Sequence, residues 1–258
     1  MLKSVRQHKI VDAVKRNGNL TVAELQGMLN VSEMTIRRDL RELENTSAIN
    51  RVHGGVISIE TTESTFSDRS VANLVQKTAI AYRAVELITP GCTVFIDGSS
   101  TCGELAGILP SNIKFTVFTD SLKILTSLSS YVNITLISLG GELEWDRNTF
   151  DGAIALENAL QISVDLCFFS AAGFNQQGVN NGGMIGTLVK KTMLRNSKKR
   201  CLLVDSSKYG KYGVITLCKW DSIDIVVSDS NLPAEARDLL KTNDVELLPA
   251  ELTTGESH

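Results

Sequence analysis

No stretch of this sequence is apolar for long enough to cross a membrane. Its first ten residues, MLKSVRQHKI, are mixed and charged, without the apolar run of an export signal. Both absences point to a cytoplasmic protein with no membrane partner. The five cysteines (Cys92, Cys102, Cys167, Cys201 and Cys218) are odd in number, and none stand at metal-ligand spacing. Neither a metal site nor a disulfide framework is therefore expected, and no cofactor. Histidine is absent between His53 and His258, so Cys102 has no neighbour with which to form a nucleophilic Cys–His pair. There is no low-complexity segment and no internal repeat. An excess of positive charge is also lacking: the net charge of −3 argues against a protein that coats nucleic acid along its whole surface.

What is present is unevenly distributed. The 258 residues, 43% hydrophobic and 21% charged, are enough for one large or two ordinary globular domains. Residues 1–57 carry nine Lys and Arg against six acids, a net +3, which leaves −6 on the remainder. A basic head on an acidic body suits contact with DNA at one end.

Within that head, residues 31–43 (VSEMTIRRDLREL) read as an amphipathic helix. Ser32 is placed to cap it, and Val31 and Ile36 are spaced for a hydrophobic staple. Ile36, Leu40 and Leu43 form an inward stripe, which Arg37, Arg38 and Arg41 leave. Charges opposite such a stripe ordinarily make only a solvated face. Here, however, a second helix precedes it at once. Thr21 and Glu24 have capping-box spacing, Ala23, Leu25, Met28 and Leu29 supply a buried side, and Asn30-Val31 makes the turn. Two short helices joined so tightly form a helix-turn-helix. Ser32, Glu33, Met34, Thr35, Arg37, Arg38 and Arg41 are then presented to DNA. A first helix over residues 5–17, with Ile10, Val11 and Val14 inward, backs the pair. Gly54-Gly55 marks the turn of a hairpin wing from which Arg51 and His53 reach phosphate or the minor groove.

Residues 20–29, VSEMTIRRDL at 31–40 and INRVHGGV at 49–56 resemble the winged helix-turn-helix of the DeoR family of bacterial transcriptional regulators. One departure is Ser47, where the family usually has glycine.

Beyond a polar stretch at 60–68 and a helix from about 71 to 88, short β-branched runs alternate with helical stretches. The runs lie at 93–96, 115–118, 134–137, 166–169, 201–204, 225–227 and 246–248. Such alternation predicts a mostly parallel sheet with helices on both faces, and ligands on such sheets bind beyond the carboxyl ends of the strands. Small and polar residues follow the runs: Asp97-Gly98-Ser99-Ser100-Thr101, Thr119-Asp120-Ser121, Gly140-Gly141, Ser170-Ala171-Ala172-Gly173 and Asp205-Ser206-Ser207-Lys208. Backbone N–H groups and hydroxyls clustered in this way suit an anion.

The segments FIDGSSTCGELA, FTDSL, LGGEL, FSAAGF and LVDSSKYG are similar to the effector-binding domain of the same family, which is related in fold to ribose-5-phosphate isomerase-like enzymes. The resemblance implies a multidomain α plus α/β protein. Residues 1–58 would be the DNA-binding domain, 59–76 a linker and 77–258 an effector domain sensing a phosphorylated sugar or related metabolite. Residues 97–101 would hold phosphate. Thr119, Ser121, Gly140, Gly141 and Gly173 would line the crevice, and Lys190 and Lys208 would bring positive charge. Ala172 stands where many members carry Asp, and Gly186-Thr187 where they carry an acid, so fewer carboxylates remain to accept from sugar hydroxyls.

Two function classes follow. One is a ligand-responsive regulator, a repressor of a carbohydrate-catabolic operon, whose partners are double-stranded operator DNA, the metabolite and further copies of itself. The other is an isomerase-like enzyme fused to a DNA-binding head. Enolisation needs a placed general base, and the 170–173 loop has no carboxylate, which weighs against the enzyme.

Overall fold

The computed structural model describes residues 3–17, 19–45, 49–52, 55–58, 66–184 and 186–252. The chain divides into two compact units, residues 1–64 and 65–258.

In the first unit, α1 (Lys3–Asn17), β1 (Asn19–Thr21), α2 (Val22–Leu29), α3 (Glu33–Asn45), β2 (Ile49–Val52) and β3 (Gly55–Ser58) follow in order. The wing hairpin β2–β3 gains a third strand, because β1 pairs antiparallel with β3. The capping box forms as its spacing requires: Glu24 N donates to Thr21 Oγ1 (3.1 Å) and Thr21 N donates to Glu24 Oε2 (2.7 Å). Asn30 closes α2 in the left-handed conformation, and its N–H donates to Gln26 O (2.8 Å). Ile10, Val14, Leu25, Ile36 and Leu40 make the centre of the core. The inward face of α2 differs from expectation. Val22 and Leu25 are buried, whereas Ala23 and Met28 are exposed. An eight-residue helix has room for only a narrow inward stripe, and here its first residue lies on it.

A pair that no local spacing announces ties α1 to α3. The Arg6 guanidinium bridges both carboxylate oxygens of Asp39, and both side chains are buried. Charge paired in such surroundings helps only while both partners remain.

The second unit opens on α4 (Phe66–Val71) and α5 (Leu74–Val85). The expected helix over 71–88 is α5, shorter at both ends, and α4 precedes it within the expected linker, residues 66–76 of which are largely helical. Asn73, at φ +53°, turns the chain between them, and Phe66 is buried. There follow β4 (Thr93–Ile96), α6 (Ser100–Ala106), β5 (Phe115–Thr119), α7 (Leu122–Leu128), β6 (Ile134–Ser138), β7 (Glu142–Glu144), β8 (Thr149–Asp151) and α8 (Gly152–Gln161). The chain continues with β9 (Val164–Phe169), β10 (Gly173–Asn175), β11 (Gly178–Asn181), α9 (Thr187–Arg195), β12 (Ser197–Leu203), β13 (Ile215–Cys218), β14 (Ile225–Asp229), α10 (Ala234–Thr242) and β15 (Glu246–Ala250).

All seven β-branched runs enter one sheet, in the order β15-β14-β12-β9-β4-β5-β6, and every pairing in it is parallel. Both faces are covered, which is why these strands read as continuous apolar runs. Val94, Ile96, Leu166, Phe168, Cys201 and Leu203 point into one core with α5 and α6. Phe95, Cys167, Phe169, Leu202 and Val204 point into the other with α8, α9 and α10. From β4 the chain builds outward through β5 and β6. It then returns to the other side of β4 with β9 and builds outward through β12, β14 and β15. The strand order therefore reverses between β4 and β9. Two small antiparallel sheets, β7-β8 and β10-β11-β13, complete the unit.

Candidate functional site

The exposed face of α3 is built from the bottom of its first turn. Ser32 Oγ accepts from Thr35 N (3.3 Å) and contacts Thr35 Oγ1 (2.9 Å), closing the helix start. With Ile36, Leu40 and Leu43 buried, geometry turns Glu33, Met34, Arg37, Arg38 and Arg41 to solvent, and Thr35 is half-buried. Met34 is the most exposed of these apolar side chains, at 82%. Arg37 Nε donates to Glu33 Oε1 (2.7 Å), so this arginine is oriented along the helix. Arg51 lies on β2, with its side chain outside the described residues; His53 lies outside them altogether.

In the second unit the strand order reverses at β4 and β9, and the loops leaving those two strands meet. Asp97, the residue after β4, is fully buried. Its Oδ1 accepts from Ser99 N (3.0 Å) and its Oδ2 from Ser170 N (3.0 Å), which joins the two loops. Lys190 of α9 pairs with Asp97 Oδ2 at 2.6 Å and donates to Ser170 O (3.0 Å). Burial pushes the Asp97 carboxyl up, but Lys190 and the hydrogen bonds outweigh it and hold the carboxyl below its ordinary value. The Lys190 ammonium, pulled down by burial, is held up by Asp97. The lysine expected to bring free positive charge is thus neutralised inside the protein.

The hydroxyls expected to line the crevice are engaged as well. Ser99 Oγ accepts from Cys102 N (3.3 Å) and Ser121 Oγ from Ile124 N (3.3 Å), capping α6 and α7. Thr119 Oγ1 donates to Ile96 O (2.7 Å) and accepts from Ser121 N (3.1 Å). Ser100, Thr101, Thr119 and Ser121 are all buried.

The hairpin β7–β8 is the reason. Phe150 N donates to Asp120 O (2.7 Å), Leu122 N to Asn148 O (3.0 Å), and Thr149 lies so close to Gly98 that a Cβ there would meet its methyl at 2.1 Å. Gly98 thus lets the hairpin roof this side. Gly140 and Gly141 lead into the hairpin at φ +65° and +109°. Gly173 opens β10 against the Lys211 backbone. Under the roof Asp120 is buried with Oδ1 unpartnered among the described residues. Burial, and secondly the charge of Asp97, push its carboxyl up to about 7.

The other side of the crevice carries groups that the sequence pattern did not single out. Asp205, after β12, is buried. Its Oδ1 accepts from Asn73 Nδ2 (3.1 Å) and Ser207 N (3.1 Å), while Oδ2 has no partner among the described residues. Asn73 Nδ2 also donates to Ser207 Oγ (3.0 Å), so the turn between α4 and α5 is fastened to the loop that carries Lys208. Buried Lys77 of α5 donates to the carbonyls of Arg69 and Ala72 (the latter at 2.6 Å), closing the end of α4. Lys208 is pulled down first by burial and then, against the pull of Asp205, by Lys211, Lys77 and Arg69. Lys77 is pulled down by burial, with Arg69 and Lys123 adding to it against Asp205 and Glu104. Asp205 thus attracts both Lys77 and Lys208, while Arg69 adds repulsion to both and Lys211 to Lys208. Arg69 escapes a reading by motif because it lies in the stretch that looks like linker, and Lys77 because it stands outside the loops that follow the strands. The available signal is Lys77 itself, which falls on the inward face shared with Ile80, Ala81 and Ala84.

Among the described residues no helix is long and apolar enough to span a membrane, and no group of three or more His, Cys, Asp or Glu is placed to hold a metal ion.

Comparison with known proteins gives two family matches, a DeoR-like helix-turn-helix domain over residues 6–62 and a DeoR C-terminal sensor domain over 72–230. An uncharacterized HTH-type transcriptional regulator of Bacillus subtilis, YulB, is 36% identical over 93% of this chain and 94% of its own. The HTH-type transcriptional repressor GlcR of the same organism is 30% identical over 99% and 100%. Among solved structures, ribose 5-phosphate isomerase A from Methanocaldococcus jannaschii aligns over 54% of this chain and 55% of its own, at 20% identity and a TM-score of 0.40.

Proposed function

Because the chain belongs to the DeoR family of transcriptional regulators, we propose that this DNA-binding regulator represses an operon for carbohydrate catabolism and that a phosphorylated sugar at the β4–β9 crevice controls its hold on the operator. In this reading α3 enters the major groove. Glu33, Met34 and Thr35 meet base edges, Arg37, Arg38 and Arg41 meet bases or phosphates, and Ser32 fixes the first turn. The wing residues Arg51 and His53 add backbone contacts.

The observation that carries the effector reading is the surplus of cations around Asp205. A half-buried lysine whose charge is repelled by neighbouring cations gains from a bound dianion. Phosphate belongs at Lys208, with Arg69, Lys211 and the buried Lys77 adding positive charge around it. The unpartnered Asp205 Oδ2 is a ready acceptor for a sugar hydroxyl. Residues 97–101 shape the adjoining wall through Ser170 and the Asp97–Lys190 pair. Repression agrees with the name of the relative GlcR, a transcriptional repressor.

The chain is not an enzyme in this reading. Ser170, Ala171, Ala172 and Gly173 provide no carboxylate, and Asp97 is committed to Lys190. Incubation with ribose 5-phosphate is expected to give no isomerisation.

The test is a thermal-shift screen of sugars and their phosphates, since a ligand that binds only the folded state raises its melting temperature. Phosphorylated sugars are expected to stabilise the wild type, and Lys208→Ala is expected to lose that response. A gel shift on the DNA upstream of the gene is expected to weaken when the same sugar phosphate is added. Equal stabilisation by unphosphorylated sugars overturns the phosphate assignment, and a tighter gel shift overturns release of the operator by the ligand.

A further inference from the structure

The stretch 187–200, which runs from α9 into β12, holds six cations and no acid. Three of the six are matched by an acid from elsewhere in the chain: Lys190 by Asp97, Lys198 by Asp165 and Arg200 by Asp224. Lys191 and Arg195 have no hydrogen-bond or ion-pair partner among the described residues. They stand four residues apart on α9, a spacing that sets like charges against each other. Both line one cavity of about 200 Å³, together with Arg200 of β12. Leu194 of α9 and Leu217 and Cys218 of β13 give it an apolar wall.

Arg200 is held ready in this cavity. Its Nε (2.8 Å) and Nη2 (3.0 Å) donate to Asp224, which fixes the guanidinium plane and leaves Nη1 without a partner among the described residues. Only one other acid stands beside the cavity. It is exposed Asp221, which accepts from the hydroxyl of the lining residue Ser222 (3.0 Å). Lys191 and Arg195 therefore remain in excess. Burial pushes the Cys218 thiol up to about 12, so the wall carries no thiolate to repel an anion. A cation in the last turn of a helix is ordinary, because it complements the carbonyl end. That accounts for the sign of Arg195. It does not account for an ammonium one turn earlier and a guanidinium from a strand lining the same space.

We propose that the cavity between α9, β12 and β13 is a second ligand site of this chain, which takes a small oxyanion, phosphate or carboxylate, on Lys191, Arg195 and Arg200. An arginine fork meets two oxygens of such a group at once, and a lysine adds a point charge. The volume sets the size of the ligand. Cavities for drug-sized molecules run from about 300 Å³ upward, so this one suits a small anion or the anionic end of a longer molecule. The site does not depend on the β4–β9 crevice, where phosphate is assigned to Lys208. The two share only α9, which carries Lys190 to Asp97 one residue before Lys191.

The experiment is isothermal titration calorimetry on the full chain without DNA, using sodium phosphate and, separately, sodium malonate. It is run on Lys208→Ala, so that phosphate at the crevice does not contribute, and repeated with Lys191→Gln or Arg195→Gln added. Lys208→Ala is expected to bind one phosphate per chain. Each added substitution is expected to weaken that binding about tenfold, as loss of one charged hydrogen bond does, with unchanged melting. Tighter binding of phosphate than of malonate assigns the site to phosphate, and the reverse order assigns it to a carboxylate; either supports the proposal. A second measurement needs no variant to fold. Alkylation of Cys218 in the wild type by N-ethylmaleimide is expected to slow severalfold in saturating phosphate, with half-buried Cys92 as the unchanged reference. Absence of binding in Lys208→Ala, equal affinity after either added substitution, or unchanged reactivity of Cys218 each overturns the proposal and leaves the crevice reading intact. An operator gel shift that weakens in Lys191→Gln overturns it too, and assigns these cations to the DNA backbone.

Discussion

Burial acts on two neighbouring carboxylates in opposite directions, and their stability signatures differ accordingly. Asp97 is buried yet held below its ordinary value by Lys190, so its contribution is present above the unfolded-state range and fades in acid. Removing one partner strands the other. Lys190→Met is expected to cost about 3–5 kcal/mol in denaturant unfolding, and Asp97→Asn added to it is expected to recover most of the loss. Asp120 is raised to about 7, so the folded state binds the extra proton. Its stability is present below pH 4 and is lost as pH rises through 7. Asp120→Asn, which mimics the protonated form, is expected to leave stability below pH 4 unchanged and to raise it at pH 8, by up to about 4 kcal/mol. A variant with the wild-type pH profile sinks this account. Asp97 and Lys190 could each be singled out from their motifs, but their partnership could not. They stand far apart in the chain, Asp97 just after β4 and Lys190 on α9, and only the strand reversal brings the loops after β4 and β9 together.

At the scale of elements, α3 divides its labour between faces. Leu40 lies in the core, and Leu40→Ala is expected to cost about 2–5 kcal/mol on the transition of the first unit in a calorimetric scan of the full chain. Arg38→Ala is expected to leave that transition alone and to weaken a gel shift on the upstream DNA. If Arg38 touches phosphate, the slope of log affinity against log salt should flatten by about 0.9; if it reads a base, binding should loosen at one position only. Equal melting losses in both variants would mean that the inward face is misassigned. This helix was legible because its stripe holds over three turns. Eight-residue α2 was legible in place but not in face. The hairpin β7–β8 was not legible at all. ELE and TFD are three residues each, too short for an alternation to register, and their effect is to bury Thr119 and Ser121, whose hydroxyls look free in the sequence. The break between α4 and α5 leaves only one mark, an Asn able to take the left-handed conformation.

At the scale of the whole chain, both units were legible for the same reason: each reads as one uniform pattern. The head follows a helical period, and the parallel strands, buried on both faces, read as solid β-branched runs. Of the proposed site, the loops after β4, β9 and β12 stand out in the sequence, whereas Arg69 lies in what reads as linker and Lys77 on a helix with no motif to mark it. Control of DNA by a sugar phosphate must be reciprocal. If the ligand weakens operator affinity by a given factor, saturating operator is expected to weaken ligand binding by the same factor, worth about 1–3 kcal/mol, in paired titrations. Unequal factors would mean that some further equilibrium intervenes. The order of the units along the chain has a consequence in time. The recognition helix and wing are complete by residue 58, whereas the central sheet closes only when β15 arrives at residues 246–250. At ribosomal speeds of about 5–20 residues per second, the head of a nascent chain waits roughly 10–40 seconds for the rest. Over that interval a newborn chain carries its helix-turn-helix unit without the closed sheet of its second unit.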